Sequence, residues 1–358
     1  MDVQTIMRIA QIAPLYESVP PKYYGGTERV VSYLTEELVQ QGHAVTLFAS
    51  GDSVTAAKLV AASRRSLRLD KQSIDQLAHH VLLVEKVFQH SDEFDIIHFH
   101  VDYLHFPLSR RARVSQITTL HGRLDTPDLV PIYKEFRDMP LVSISNAQRE
   151  PLPWVNWQAT VYHGLPNGLY RFHAAPGKYL AFLGRISPEK RVDHAIEIAK
   201  QTGIPLKIAA KVDNVDKQYF EAVVEPLLNS SLVEYIGEIG DGEKNEFLGN
   251  AYALLFPIDW PEPFGLVMIE AMACGTPIIA YRKGSVSEVM EEGRTGFIAD
   301  SLKGAVHAVH RISELSRERC REVFNQRFTA ARMARDYVQV YEQLIEYKTP
   351  RMSMVHAR

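Results

Sequence analysis

Cysteine is almost missing from this chain: Cys274 and Cys320 are the only two among 358 residues. A pair cannot build a disulfide framework, and no Cys-x-x-Cys occurs, so a reducing cytoplasm is the expected home. Missing too is an excess of one charge. Lys and Arg number 40 against 43 Asp and Glu, a formal net charge of -3, which argues against a nucleic-acid partner. No run approaches the roughly 18 uninterrupted apolar residues of a membrane-spanning helix. The apolar stretch near the start, with Asp2 ahead of it, is too short for a secretory signal. A soluble or peripheral protein is expected. A local basic patch, as around Arg64 and Arg65, leaves peripheral contact with an acidic membrane surface open.

What is present is a chain of ordinary globular composition, 46% hydrophobic and 23% charged. It is too long for one comfortable core, so two domains are expected. MRIAQIA, AVTLFAS, DIIHFH, QITTL and LVSIS read as strands, with ERVVSYLTEELVQQG and SIDQLAHHVLLVEKVFQ as helices among them. After a Gly- and Pro-rich segment, 163–178, the pattern restarts. KYLAFLG, LKIAA, VEYIG, ALLFP and PIIAY are strands; PEKRVDHAIEIAKQTG and GLVMIEAMACG are helices; TAARMARDYVQVYEQLIEYK is a long amphipathic helix. Such alternation implies βαβ units and parallel sheets covered on both faces.

The expected fold is therefore α/β, with two Rossmann-like doubly wound domains, 1–170 and 171–334, facing across a cleft. The last helix, 335–358, is expected to pack back on the first domain. Open parallel sheets bind ligands beyond the carboxyl ends of their strands. The residues with chemistry to offer do fall just after strands.

The first such place is Tyr24-Gly25-Gly26-Thr27-Glu28-Arg29. Paired glycines at a helix start leave backbone N–H groups approachable by a phosphate, though the same residues read as a flexible turn capped by Thr27. The second is Gly184-Arg185-Ile186-Ser187-Pro188-Glu189-Lys190. Ser187 suits an N-cap and Pro188 a first helical position, so Arg185 and Lys190 would flank a positive helix end fit for a pyrophosphate. A capped helix carrying two solvated cations is the plainer alternative. The third is Glu262-Pro263-Phe264-Gly265-Leu266-Val267-Met268-Ile269-Glu270. Its helix start offers N–H groups to a phosphate or hydroxyl, and the carboxylates of Glu262 and Glu270 suit sugar and ribose hydroxyls. Ile269, Ala271 and the following AMACGTPII place Glu270 in apolar company rather than on a solvated face.

Taken in order, G-G-x-x-R, G-R-x-x-x-E-K and E-x(7)-E resemble the motifs of glycosyltransferase family 4, the group 1 retaining transferases of GT-B fold. The similarity extends to TLHG, LVSIS, the strand GEIG and EGRTGFI. The resemblance implies a retaining, metal-independent hexosyltransferase whose nucleotide-sugar donor is held mostly by the C-terminal domain. It gives Arg185 and Lys190 the donor pyrophosphate, Glu262 the hexose hydroxyls and Glu270 the ribose. Phe264, Gly265 and Leu266 correspond to the backbone cradle, Gly25 and Gly26 to the loop over the phosphates, and His121 to the cleft histidine. Base contacts fall around Ile239, where Glu238-Ile239-Gly240-Asp241-Gly242 departs from common members.

No Asp-x-Asp is present to hold a metal, and no cofactor is expected. His98 and His100 share one face of a strand. With His121 they could imitate a zinc site, but the favoured reading has His100 lining the cleft and His98 packing locally. A UDP-hexose is the first expectation for the donor, GDP-mannose the second. The acceptor, a hydroxyl compound, would meet residues 17–24 and 123–138. The alternatives are a nucleotide-sugar epimerase of the same architecture and a non-catalytic sugar-nucleotide-binding protein.

Overall fold

A computed structural model describes residues 5–22 and 25–348. The chain forms two compact units. The first holds described residues up to Ile144, Leu152–Val161 and those from Ala331; the second holds Ser145–Pro151 and Tyr162–Ala330. Among the described residues no helix is long and apolar enough to cross a membrane.

The first unit is built on a parallel sheet of seven strands: β1 (Arg8–Ile12), β2 (Ala44–Ser50), β3 (Lys58–Ser63), β4 (Ile96–Phe99), β5 (Ser115–Thr119), β6 (Leu141–Ser143) and β7 (Trp157–Thr160). Their order is β3-β2-β1-β4-β5-β6-β7, so the winding reverses between β1 and β4. The central strands are buried on both faces almost throughout. β3 and β7, missed in the sequence, are edge strands whose residues are mostly half-exposed or exposed. Helices α1 (Gly26–Gln40) and α2 (Gln76–Gln89) cover this sheet, their inward stripes including Val30, Val31, Leu34 and Leu38, and Leu83, Val84 and Val87.

The second unit repeats the plan with β8 (Tyr179–Ile186), β9 (Leu206–Val212), β10 (Val233–Gly237), β11 (Ala251–Phe256), β12 (Ile278–Tyr281) and β13 (Gly296–Ala299). Here the order is β10-β9-β8-β11-β12-β13, with its own reversal between β8 and β11. Helices α3 (Val192–Thr202), α4 (Asp241–Gly249), α5 (Leu266–Cys274), α6 (Leu302–Arg311) and α7 (Arg317–Arg327) complete it. Arg317 is a structural cation. Its buried guanidinium donates to the carbonyls of His173, Ala251 and Gly249 and to Thr276, at 2.6 to 2.9 Å, and burial lowers its pKa.

The last helix, α8 (Ala330–Lys348), buries Met333, Ala334, Tyr337, Val338 and Tyr341 along one stripe. Tyr337 and Tyr341 reach hydrogen-bond partners on the first sheet. The remainder of the helix expected over 335–358, from 349 onward, lies outside the described residues. Cys274 and Cys320 are free and buried, and burial pushes both thiols up to about 12.

Candidate active site

In the second unit the residues singled out in the sequence gather at the carboxyl ends of β8 and β11, where the strand order reverses. Arg185 is the last but one residue of β8, and Lys190 ends the turn that follows. That turn differs from the capped helix expected at Ser187 and Pro188. Residues 188–190 make a single 3-10 turn, Ser187 gives no side-chain cap, and Arg191 has a left-handed φ of 52° before α3 begins at Val192. Local bonds explain the break. Arg191 turns back onto Asp193 at 2.9 Å and onto His194, and the Asp259 N–H donates to the Glu189 carbonyl at 2.8 Å.

Lys190 is brought to Glu262. Its ammonium donates to Glu262 Oε2, which also accepts from Trp260 Nε1 at 2.9 Å. The same ammonium stands 5.0 Å from the Trp260 ring centroid. Arg185 faces three carboxylates, Glu189 at 2.6 Å, Asp216 at 3.5 Å and Asp213 at 3.8 Å. Burial works to raise the Glu189 pKa, but hydrogen bonds in its own turn and the Arg185 charge hold it below the ordinary value.

The loop after β11 is fastened from beneath. Ser285 donates its N–H to the Glu262 carbonyl at 3.0 Å and its hydroxyl to the Phe264 carbonyl at 2.9 Å. Gly284 has a φ of 51°, and a Cβ there would run into the Glu262 backbone, so only glycine serves. Phe264 is buried, with its ring centroid 4.8 Å from that of His163. Gly265, at φ 79°, turns the chain into α5, so that the N–H groups of Leu266 and Val267 start a helix and suit an anion. Further along α5, Glu270 is 4% exposed and pairs with Lys244 of α4 at 3.3 Å; Lys244 also reaches Asp241 at 3.1 Å. Ile239 is half-buried in the loop before α4, because β10 ends at Gly237 rather than running through GEIG.

In the first unit Gly25 is the N-cap of α1, and its carbonyl accepts from Arg29 at 3.1 Å. Thr27, the cap considered in the sequence, lies inside the helix. A Cβ on Gly25 would come within 2.8 Å of Pro21, and Gly26 opens the helix on its exposed side. Glu28 in the first turn accepts from the Glu17 N–H at 3.3 Å, and burial raises its pKa. Tyr23 and Tyr24, part of the expected acceptor loop, lie outside the described residues. Arg123, at the start of the other expected acceptor stretch, forks onto Asp125 at 2.6 and 2.7 Å.

His121 follows β5. Its Nε2 stands 2.9 Å from His100 Nδ1, and His100 Nε2 stands 2.8 Å from Gln11 Oε1. The His121 side chain is only partly enclosed, yet desolvation of the ring lowers its pKa to about 3, so it is neutral at pH 7. His98, expected to bond locally, instead reaches far in sequence. Its Nδ1 meets Tyr341 Oη and its Nε2 meets Thr119 Oγ1, each at 2.7 Å. Both nitrogens are thus engaged, and among the described residues no group of three or more His, Cys, Asp or Glu is placed to hold a metal ion. Sequence reasoning missed Trp260, Lys244, Gln11 and Tyr341. Only Trp260, two residues before Glu262, had a usable signal.

Known proteins agree with this geometry at the level of fold and family. The chain resembles the structure of AviGT4, a glycosyltransferase involved in Avilamycin A biosynthesis, with a TM-score of 0.74, 23% identity, and coverage of 95% of this chain and 98% of that one. It resembles Anabaena HepE in complex with UDP and glucose with a TM-score of 0.72, 18% identity, and coverage of 94% and 100%. The fold is therefore GT-B. N-acetyl-alpha-D-glucosaminyl L-malate synthase of Bacillus anthracis is 24% identical over 90% of this chain and 94% of its own length. The chain spans about half or less of the length of several other curated relatives it matches. Residues 172–328 match the glycosyl transferases group 1, and residues 24–161 match Glycosyltransferase Family 4. This chain belongs to that family and is a group 1 glycosyltransferase.

Proposed function

We propose that the protein transfers a hexose from a nucleoside-diphosphate sugar to a hydroxyl acceptor, with retention of anomeric configuration and without a metal ion. UDP-hexose is the first choice of donor and GDP-mannose the second; the structure of HepE with UDP and glucose supports the first. The observation that carries the reading is the Lys190–Glu262–Trp260 cluster beside the Gly265 helix start, at the reversal point of the second sheet.

In this reading the diphosphate lies against the Lys190 ammonium, the Arg185 guanidinium and the N–H groups of Leu266 and Val267. Those groups neutralise the charge that grows on the β-phosphate as the C1–O bond breaks. Glu262, oriented by Lys190 and Trp260, accepts hydrogen bonds from hexose hydroxyls, and Glu270 accepts from the ribose diol. The acceptor oxygen bonds to C1 on the face the phosphate leaves, and its proton passes to a departing phosphate oxygen. A double displacement would instead need a carboxylate nucleophile at C1, and Glu262 is already fastened as a hydrogen-bond acceptor. The resemblance to the family also gives His121 and the N-terminal glycines of α1, in the first unit, a part in the transfer.

Incubation with UDP-glucose, GDP-mannose or ADP-glucose in EDTA, with a panel of hydroxyl acceptors, tests the reading by the anomeric proton coupling of the product. An α-linked product from the α-linked donor is expected. A β-linked product contradicts retention, an epimerised sugar without acceptor marks an epimerase, and binding with neither transfer nor donor hydrolysis marks a binding protein.

A further inference from the structure

Behind His121 runs a chain of buried polar groups that packing alone does not require. It passes from His121 to His100 (2.9 Å), to Gln11 (2.8 Å), to Tyr341 (3.1 Å), to His98 (2.7 Å), to Thr119 (2.7 Å) and to Tyr337 (2.8 Å). Gln11, His98, Thr119 and Tyr341 are wholly buried, and His100 and Tyr337 nearly so. Apolar side chains of the same volume would fill these positions at no polar desolvation cost. A polar network here has to satisfy every member, and once satisfied it holds one arrangement.

The arrangement has a direction. Gln11 presents Oε1 to His100 and Nε2 to Tyr341. An amide oxygen only accepts, so His100 Nε2 carries a proton. Burial opposes the imidazolium form of His100, so its Nδ1 accepts, and the proton between the two rings belongs to His121 Nε2. Beyond Gln11, the Tyr341 hydroxyl accepts from the amide and donates to His98 Nδ1. His98 Nε2 donates to Thr119, and Thr119 donates to Tyr337. Every donor points away from His121, whose lone pair is thereby left on Nδ1. Flipping the Gln11 amide would reverse the whole chain and move that lone pair to Nε2.

We propose that Gln11, His100 and Tyr341 are positioning residues that fix His121 as the Nε2–H tautomer, with Nδ1 as its acceptor face. The proposal rests on the reading that His121 serves sugar transfer, and it adds that α8 sets the state of that histidine through Tyr341. All three side chains are buried. Each acts through the ring it holds.

The test starts with the unaltered full-length protein, 15N-labelled at histidine. Two-bond 15N–1H correlations assigned with His121→Gln should show a proton on Nε2 and none on Nδ1; the opposite tautomer overturns the proposal. Tyr341→Phe and Gln11→Met should then give a mixture of His121 tautomers. Turnover of the donor should drop about tenfold in each while donor KM changes less than twofold. Wild-type tautomer and turnover in either folded variant would contradict the proposal. His121→Ala separates the two claims. Full activity in it removes His121 from the reaction, whereas loss of activity beside unchanged Tyr341→Phe and Gln11→Met leaves the function standing and sinks the positioning role.

Discussion

The two sheets equip their carboxyl ends in opposite ways. The second unit relies on full charges, all paired within that unit and no more than 72 positions apart: Lys190 on Glu262, Arg185 among Glu189, Asp213 and Asp216, and Lys244 on Glu270. The first unit uses neutral groups drawn from both ends of the chain, with Gln11 and Tyr341 bonded across 330 positions. The division suits the chemistry proposed. A departing diphosphate needs charge opposite it, whereas a histidine that meets a sugar has only to be oriented.

Breaking the charged half should have the largest effect. Lys190→Ala removes a cation from the leaving group and leaves Glu262 without its partner. Turnover, measured where the variant remains folded, should fall by about 10²–10³, the range for removing one stabilising donor. Equal turnover would take Lys190 out of the site.

Next comes Lys244→Met. Glu270 has a side chain only 5% exposed and would be left without its Lys244 partner. A loss of about 3 kcal/mol, the lower range for breaking a buried pair, is expected in urea unfolding. Nucleoside diphosphate binding should weaken with it. An unchanged midpoint would mean that Glu270 needs no cation.

Gly265→Ala tests the cradle between these pairs. Alanine at φ 79° costs about 1–2 kcal/mol, and its Cβ would meet Met268 and Phe256. Calorimetry should show weaker diphosphate binding than in the parent; equal affinity would place the anion elsewhere.

The neutral half is sharpened by acid. Burial holds His98 well below the ordinary histidine range. A depressed folded pKa gives stability that is complete above the unfolded pKa, near 6.5, and is lost as pH falls toward the folded value. Each such histidine adds a slope of about 1.4 kcal/mol per pH unit in that window. His98→Asn should therefore make stability between pH 6.5 and 5 less steep by about that amount, and an identical slope in the two proteins would show His98 protonated in the fold. The smallest effect should come from an exposed pair. Arg311→Ala breaks the link to Glu314 at 2.9 Å, where both side chains are more than two-fifths exposed, and removes the guanidinium from over the Phe297 ring, 4.4 Å from its centroid; the urea midpoint should stay close to that of the parent. A larger loss would give surface charge a weight that this comparison denies it.

The same contrast decides what could be read from the sequence. The alternation of strands and helices, and the motifs around Arg185, Lys190, Glu262 and Glu270, were legible because each motif follows a strand and is carried by neighbouring residues. Edge strands β3 and β7 were not: WQAT has no apolar run, and the short LVAA of β3 has no period that separates strand from helix. The turn at Arg191 was hidden because a left-handed arginine is fixed by bonds to Asp193, His194 and the loop near Asp259. Lys244 and Tyr341 had no signal at all. Their partners lie 26 and 330 positions away, and nothing local in either segment marks them.

The most direct measurement is calorimetric titration of the protein and of Lys190→Ala with UDP, GDP and ADP and their hexose conjugates, all in EDTA. One nucleoside diphosphate should bind the parent in EDTA and bind Lys190→Ala at least tenfold more weakly. Binding that EDTA abolishes, or that Lys190→Ala leaves intact, would contradict a metal-free site built on Lys190.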